Sequence, residues 1–389
     1  MTEVDFQLSR YQTPMLPPSV QELRNKVRAF LRTQLEAGGF DIHVDAGLNG
    51  HSPDFTRRVA EMGWIGMTWP KRYGGHGRSA LERYVVTEEL LAAGAPVAAH
   101  WVADRQTGPL LLRYGTEEQK ETFLPEIARG EHYFAIGMSE PDAGSDLASI
   151  RTLARRTDGG WLVSGRKTWT SHAQKAHSMI TLVRTSALDD ADRHAGMSQV
   201  IVDLRSPGVQ IRPIRLLTGE AHFNDVLLDD VFVPDTRVVG RIGDGWNQVT
   251  SELGYERSGP ERFFSTFWLL RELVDELGPA ADDTAAAALG RLIARFASIR
   301  RLSMSVAAAL ELGESPLVQA ALVKDLGTRL ENEIIDIARE LVPTEPSISS
   351  SRHFDRLLAE SVLSAPGFTI RGGTNEILRG IVARGLGIR

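Results

Sequence analysis

The segment Gly160–Thr168, GWLVSGRKT, is a near match to the phosphate-cradling pattern GxxxxGK[ST]. Arg166 displaces Lys167 by one place, and Trp161, Leu162 and Val163 are strand formers rather than a glycine-rich turn leading into a helix. Gly165 therefore reads as the turn of a hairpin. His172 and His177 stand five apart without a helical setting, and no HExxH pair occurs among the 10 histidines, so no metal centre is expected. A GxSxG nucleophile elbow is absent, and GRIGDGW, with Gly243 and Gly245, falls short of a strand-linked GxGxxG. With 0 cysteines there is no thiolate nucleophile, disulfide or Cys-ligated cluster. Hydrolase, nucleoside triphosphate and Rossmann readings find no support.

The elements that must position any other chemistry fall into three stretches. Val20, Leu23, Val27, Phe30, Leu31 and Leu35 recur at helical spacing, and Ser19 with Glu22 has the spacing of a capping box after Pro17 and Pro18. Further helices are predicted from Ser52 and Pro53, over about Ala80 to Ala93, and from Thr116, with Gln119 three residues on. From Tyr133 the texture changes to WLVSGRKTWT, SMITLVRT, SQVIVDLR, VQIRPI and NDVLLDDVFV, short β-type runs separated by turn residues. Helical patterns resume after Gly245 and run through ERFFSTFWLLRELVDEL, LGRLIARFASIRRL, SPLVQAALVKDLGTRLENEIIDIARELV and NEILRGIVARGL, with a polar interruption from Pro343 to Arg352. The expected fold class is α+β: an N-terminal helical domain over 1–132, a middle β domain over 133–240 and a C-terminal helical bundle over 241–389.

The balance of 44 basic against 50 acidic residues gives a net charge of −6, which exerts no general pull toward nucleic acid or anionic lipid. The Ala-rich stretch from Thr284 to Phe296 is interrupted by Gly290, Arg291 and Arg295, so no integral membrane segment is expected. The opening MTEVDFQLSRYQ lacks a positive cluster followed by an apolar core, and a cytoplasmic location is the expectation.

Five longer strings carry a resemblance. They are GWIGMTWPKRYGG at Gly63–Gly75, YGTEEQKETFLPEIARGE at Tyr114–Glu131, GMSEPDAGSDLASI at Gly137–Ile150, SGRKTWTS at Ser164–Ser171 and GGTNEILRGIVARGLG at Gly372–Gly387. In this order, and on these segments, the chain resembles the acyl-CoA dehydrogenase family over almost its whole length. The resemblance implies a helical domain, a β domain and a C-terminal four-helix bundle that drives tetramer assembly, with FAD bound between domains and against a neighbouring subunit. It implies further that Met138 and Ser139 lie along the flavin edge, that Trp169 packs on the isoalloxazine, and that the Ser171 hydroxyl bonds near the hydride-accepting nitrogen. Thr374 and Glu376 match positions near the flavin pyrophosphate and ribityl chain, and Ser145 one near the CoA moiety.

The family's chemistry removes a proton beside a thioester carbonyl and a hydride from the next carbon, which calls for a carboxylate base and a site for the developing oxyanion. In many members the base is a Glu just before the Gly-Thr of the last string, but here that place is Gly372. In the isovaleryl and long-chain branches it sits on a C-terminal-domain helix just before an Arg, which by resemblance makes Glu256 the base, followed by Arg257. An apolar pocket would raise the pKa of such a carboxylate. Pro260, four residues on, is expected to kink this helix. Arg257 and Gly372 are candidate substrate contacts, and glycine at 372 keeps the N–H that in the family faces the thioester oxygen.

Two strings depart from the family. Where it has Arg-x-x-Phe-Gly reaching the FAD of a neighbour, this chain reads GPAADDTAAAALG, with Asp282 near the Arg place; where it has Gln-x-x-Gly-Gly, this chain reads ELVPTEPSISSSRH. Both belong to the inter-subunit side of the cofactor site, a pattern similar to a subgroup, including bacterial sterol-degrading members, built from two different subunits. The expected function is formation of a trans-2-enoyl-CoA with electrons passed to an electron-transfer flavoprotein, by a homotetramer or a heterotetramer with a related subunit. A carrier-protein thioester, a flavin monooxygenase or oxidase activity, and a structural partner role remain the alternatives.

Overall fold

A computed structural model describes residues 15–189, 191–314 and 316–388, with the backbone but not the side chains of 252–256. Its elements are helices at the N-terminal end, a sheet in the middle and helices again to the end, as the sequence implies. By contact, the chain divides into two compact units. One is made of residues 15–50, 79–96 and 254–388, the other of 51–78 and 97–253.

In the helical unit, α1 (Pro18–Glu36) buries Val20, Leu23, Val27 and Leu31, the stripe its spacing predicts. Its start differs from expectation. Pro18 already occupies the first turn, Pro17 is the N-cap and no side chain caps the end, so Ser19 lies inside the helix and the Ser19–Glu22 box does not form. After α2 (Ala46–Asn49) this unit continues with α4 (Ala80–Ala92), which does begin with a reciprocal box between Ser79 and Glu82. Arg24 of α1 pairs with Glu88 at 3.1 Å and Glu89 at 3.0 Å on α4, joining the two helices through buried charge.

The sheet unit starts with α3 (Pro53–Glu61), whose Ser52 N-cap accepts from the Phe55 N–H at 3.2 Å. Residues 98–114, inside the expected helical domain but without a delimited helix, form α5 (Ala98–Val102), a π-helical turn (Ala103–Thr107) and α6 (Gly108–Tyr114). Then α7 (Glu117–Ala128) starts at the predicted Thr116–Gln119 box, and Gln119 also donates at 2.8 Å to the Thr236 and Val238 carbonyls.

The sheet has β1 (Phe134–Gly137), β2 (Leu153–Thr157), β3 (Gly160–Ser171), β4 (Ser178–Arg184), β5 (Met197–Asp203), β6 (Val209–Ile214), β7 (Phe223–Pro234) and β8 (Val238–Val239). Its order is β6-β7-β3-β2-β4-β5-β8, with β1 parallel to β4. Val163, Met179, Val183, Val200, Val202, Val226 and Val231 are fully buried and supply its core. Gly165 is not the hairpin turn. The β2–β3 turn falls at Asp158–Gly159, and Gly165 lies inside β3 at a register break against β7, where a Cβ would come within 2.7 Å of the Thr152 Cα.

The last helices are α8 (Gly245–Glu256), α9 (Phe267–Leu277), α10 (Asp283–Glu311), α11 (Leu317–Leu341), α12 (His353–Phe368) and α13 (Asn375–Gly385). Two expectations change here. The helix before Pro260 stops at Glu256 rather than kinking, because Pro260 offers no N–H to the Glu256 carbonyl and instead opens a 3₁₀ turn, Pro260–Arg262. ERFFST is consequently not α-helical, and α9 begins only at Phe267. Asp282 caps α10, accepting from the Ala285 N–H at 2.8 Å.

Candidate active site

In the sheet unit, β1 runs out into Met138, Ser139 and Glu140, and β3 passes alongside. Thr168 N–H donates to the Ser139 carbonyl at 2.9 Å, while Lys167 Nζ donates to the Met138 carbonyl at 3.1 Å and to Glu140 at 2.8 Å. Glu140 also accepts from the N–H groups of Arg151 (2.6 Å) and Thr152 (2.9 Å). Burial lowers the Lys167 pKa to about 8 against the pull of Glu140; burial also acts to raise that of Glu140, but Lys167 and the N–H donors hold it below the usual carboxylate range. This buried pair fixes the Met138–Ser139 segment to β3.

A second register break in β3, between Lys167 and Thr170, places Trp169 in a left-handed conformation with φ 57°. For a bulky residue that is costly, on the order of 1–3 kcal/mol, and such strain clusters at functional sites. Its indole is 56% exposed and stands edge-on to Phe223, with ring centroids 5.7 Å apart. Ser171, half-buried, ends the strand opposite Phe223. The structure therefore brings Met138, Ser139, Trp169 and Ser171 onto neighbouring segments, and the exposed indole among them fits a flat conjugated cofactor.

Ser145 is exposed on the turn that follows, and its loop is framed rather than free. Glu140 and Ala143 exchange backbone bonds of 2.9 and 3.1 Å, and Arg193 bonds Asp146 at 2.7 Å. The Ser149 hydroxyl and Arg193 hold the Asp146 carboxyl below its ordinary range. The buried Arg184 donates to the carbonyls of Ala148 (2.6 Å), Ile150 (3.1 Å), Arg193 (2.9 Å) and Ala195 (2.9 Å).

In the helical unit, Glu256 is the last residue of α8, and its side chain lies outside the described residues. Its neighbour Arg257 is buried and donates from Nε to the Gly372 carbonyl at 3.2 Å. The end of α8 and the turn before α13 are thus joined. Gly372 and Gly373 both adopt left-handed backbone, φ 66° and 88°, and a Cβ at 372 would stand 2.8 Å from Nη2 of the buried Arg262. Backbone and guanidinium together disfavour a side chain where many of the family carry their base. Thr374 is the N-cap of α13, its hydroxyl accepting from the Ile377 N–H at 3.4 Å. Glu376 is exposed in the first helical turn, its carboxyl held below the usual range by its own N–H and the Thr374 hydroxyl.

The structure adds residues that sequence reading missed: Glu140 and Lys167 at the Met138–Ser139 segment, and Arg262, Lys324, Arg371 and Asp45 around the glycine turn. By local pattern Lys167 is only a displaced phosphate ligand. Local pattern gave no signal for the others, whose partners lie far away in sequence, as with Arg371 and Asp45, 326 positions apart.

Residues 17–131, 135–231 and 243–387 match, in turn, the N-terminal, middle and C-terminal domains of acyl-CoA dehydrogenase. The chain belongs to the acyl-CoA dehydrogenase family. It is a flavin-dependent oxidoreductase of that family. It is 37% identical over 341 residues to acyl-CoA dehydrogenase FadE34 of Mycobacterium tuberculosis, covering 86% of this chain but 46% of that protein, so it spans about half the length of this relative. A solved structure called Tcur3481-Tcur3483 steroid ACAD superposes with a TM-score of 0.83 at 31% identity, covering 96% of this chain and 99% of that one. The ChsE4-ChsE5 complex from Mycobacterium tuberculosis gives 0.80 at 28% identity, covering 96% and 98%. No helix among the described residues is long and apolar enough to cross a membrane.

Proposed function

We propose that this acyl-CoA dehydrogenase uses FAD to convert an acyl-CoA thioester to its trans-2-enoyl form and passes the electrons to an electron-transfer flavoprotein. The observation that carries the reading is the bond from Arg257 to the Gly372 carbonyl, which ties the residue after Glu256 to the turn that supplies a backbone N–H. Glu256 takes the proton from the carbon beside the thioester carbonyl. The Gly372 N–H faces the thioester oxygen as negative charge gathers there. Met138, Ser139, Trp169 and Ser171 would hold the isoalloxazine, with Thr374 and Glu376 toward the rest of the cofactor; Ser145 and Arg257 serve the substrate. When bound, the flavin supplies the acceptor for the hydride that leaves the adjacent carbon. Glu256→Gln removes the base and leaves the proposed flavin contacts in place. The expected outcome is a yellow protein whose flavin no acyl-CoA bleaches, while the unaltered protein is bleached anaerobically by its substrate class.

A heteromeric assembly with a related chain is a second part of this reading. Asp282, near the expected Arg place, is engaged in capping α10, and Pro343–Arg352 forms a polar connection between α11 and α12. The polycyclic steroid class named for one structural neighbour is the first substrate class to test, and the sequence puts only glycine at 372. A fully flavinated homotetramer formed by this chain alone would remove the heteromeric reading.

A further inference from the structure

Two consecutive left-handed glycines cannot hold one orientation by their own backbone preferences, because glycine crosses between basins more readily than any other residue. The direction of the Gly372 N–H must be set from outside the turn. The two ends of the loop from Thr369 to Thr374 are bridged by an ammonium: Lys324 on α11, 0% exposed, donates to the Thr369 carbonyl at 3.0 Å and to Asn375 Oδ1 at 2.8 Å. Thr328, one turn along α11, donates to the same Asn375 oxygen at 3.3 Å, and the Asn375 N–H returns to the Thr369 carbonyl at 3.1 Å. Between these ends Arg371 reaches away to Asp45 and to the Ser265 hydroxyl (2.8 Å), and Arg257 holds the Gly372 carbonyl. The loop is therefore held by cations from three different places in the chain.

The location of Lys324 argues against a purely stabilising role. A buried ammonium is expensive to desolvate, and an apolar side chain of similar volume is often at least as stabilising in such a place. Its surroundings add to that expense: burial first, then Arg262 and Arg371, lower its pKa to about 7, and Glu331 and Asp325 offset this only in part. What the ammonium supplies that methylene groups cannot is a pair of directed bonds to the two ends of one short loop.

We infer that Lys324 is a positioning residue that fixes the Gly372–Gly373 turn by clamping Thr369 to Asn375, so that the Gly372 N–H is aimed at the thioester oxygen before substrate arrives. The catalytic half of this inference rests on the proposed dehydrogenase reaction. The clamping half does not.

Lys324→Met in the full-length flavin-loaded protein separates the two, with Asn375→Ala as a second variant that removes the shared acceptor and leaves the lysine. Hydrogen exchange followed by mass spectrometry should show protection lost by tenfold or more in the peptide holding 369–375, with protection on the rest of α11 retained. For the acyl-CoA that bleaches the wild type, kcat for flavin reduction should fall about 10²-fold, the scale expected of a displacement near 1 Å, while KM changes less than twofold. Unchanged protection of 369–375 in both variants would overturn the clamp, whatever the reaction proves to be. Lost protection with wild-type kcat, or a rise in KM at constant kcat, would overturn its role in catalysis. A wild type that no acyl thioester bleaches would contradict the dehydrogenase reading, and with it the catalytic half, while the exchange data would still decide the clamp.

Discussion

Two regions that carry candidate functional residues, one in each unit, are held in shape by opposite means. Near the end of β3, Trp169 is presented by strand pairing: β3 is registered against β7 on both sides of a bulge, and the strain at one residue is imposed by ladder bonds on either side. At the glycine turn no ladder exists, and buried cations reaching from distant parts of the chain do the positioning. The difference teaches where each region is vulnerable. The β3 segment should tolerate changes of side chain as long as its pairing survives, whereas the turn depends on individual charges in poorly solvated surroundings.

The buried carboxylates make the contrast measurable. Glu140, 8% exposed, is fully engaged by Lys167 and two N–H groups. Glu140→Ala would strand the Lys167 ammonium, so a loss of about 3–5 kcal/mol in stability is expected from urea unfolding of the sheet unit's signal. A loss below about 1 kcal/mol would show that the pair does not hold the Met138–Ser139 segment.

Glu331, fully buried on α11, should behave in the opposite sense. Its Oε1 accepts from the Ser265 N–H at 2.9 Å, but its Oε2 has no hydrogen-bond partner among the described residues. Burial raises its pKa from 4.5 to about 7 despite Arg371 nearby. The folded state therefore keeps a proton that the unfolded state loses between these two values. Stability from this group is fully present below pH 4.5 and is lost as pH rises to about 7. Glu331→Gln keeps the Ser265 bond without the charge and should stabilise the protein on the order of 1–3 kcal/mol at pH 8, with little gain at pH 4.5. Thermal melts of both proteins at the two pH values check the sign, and a gain that does not grow with pH would contradict it.

A smaller effect is expected at Gly372. Gly372→Ala imposes left-handed backbone on a residue with a Cβ and presses on Arg262, at a cost of roughly 1–2 kcal/mol before any rearrangement. Unfolding midpoints measure it, and an unchanged midpoint would mean that the turn is less tightly held than its cations suggest.

How much of this was legible in the sequence follows the same division. Caps at Ser52 and Thr116, the stripe of α1 and the long β-type runs are local patterns, and each led to the right element. Where two local signals competed, reading failed. Pro18 overrides the Ser19–Glu22 pattern, and Gly165 reads as a turn although the turn falls earlier, at Asp158–Gly159 before β3 begins. The family strings name Trp169 and Gly372 as candidates. They could not reveal Lys324 with Asn375, 51 positions apart, because neither periodicity nor spacing encodes a contact made only when helices pack.

The measurement closest to the central claim is an anaerobic visible titration of the flavin-loaded chain, prepared with any partner subunit it needs, using short, branched, long and steroid acyl-CoA thioesters. The wild type should bleach with one class, and Glu256→Gln, equally yellow, should bleach at least about 10²-fold more slowly. Bleaching of the variant at the wild-type rate would show that Glu256 is not the base, and a wild type that stays yellow with every thioester would contradict the proposed reaction.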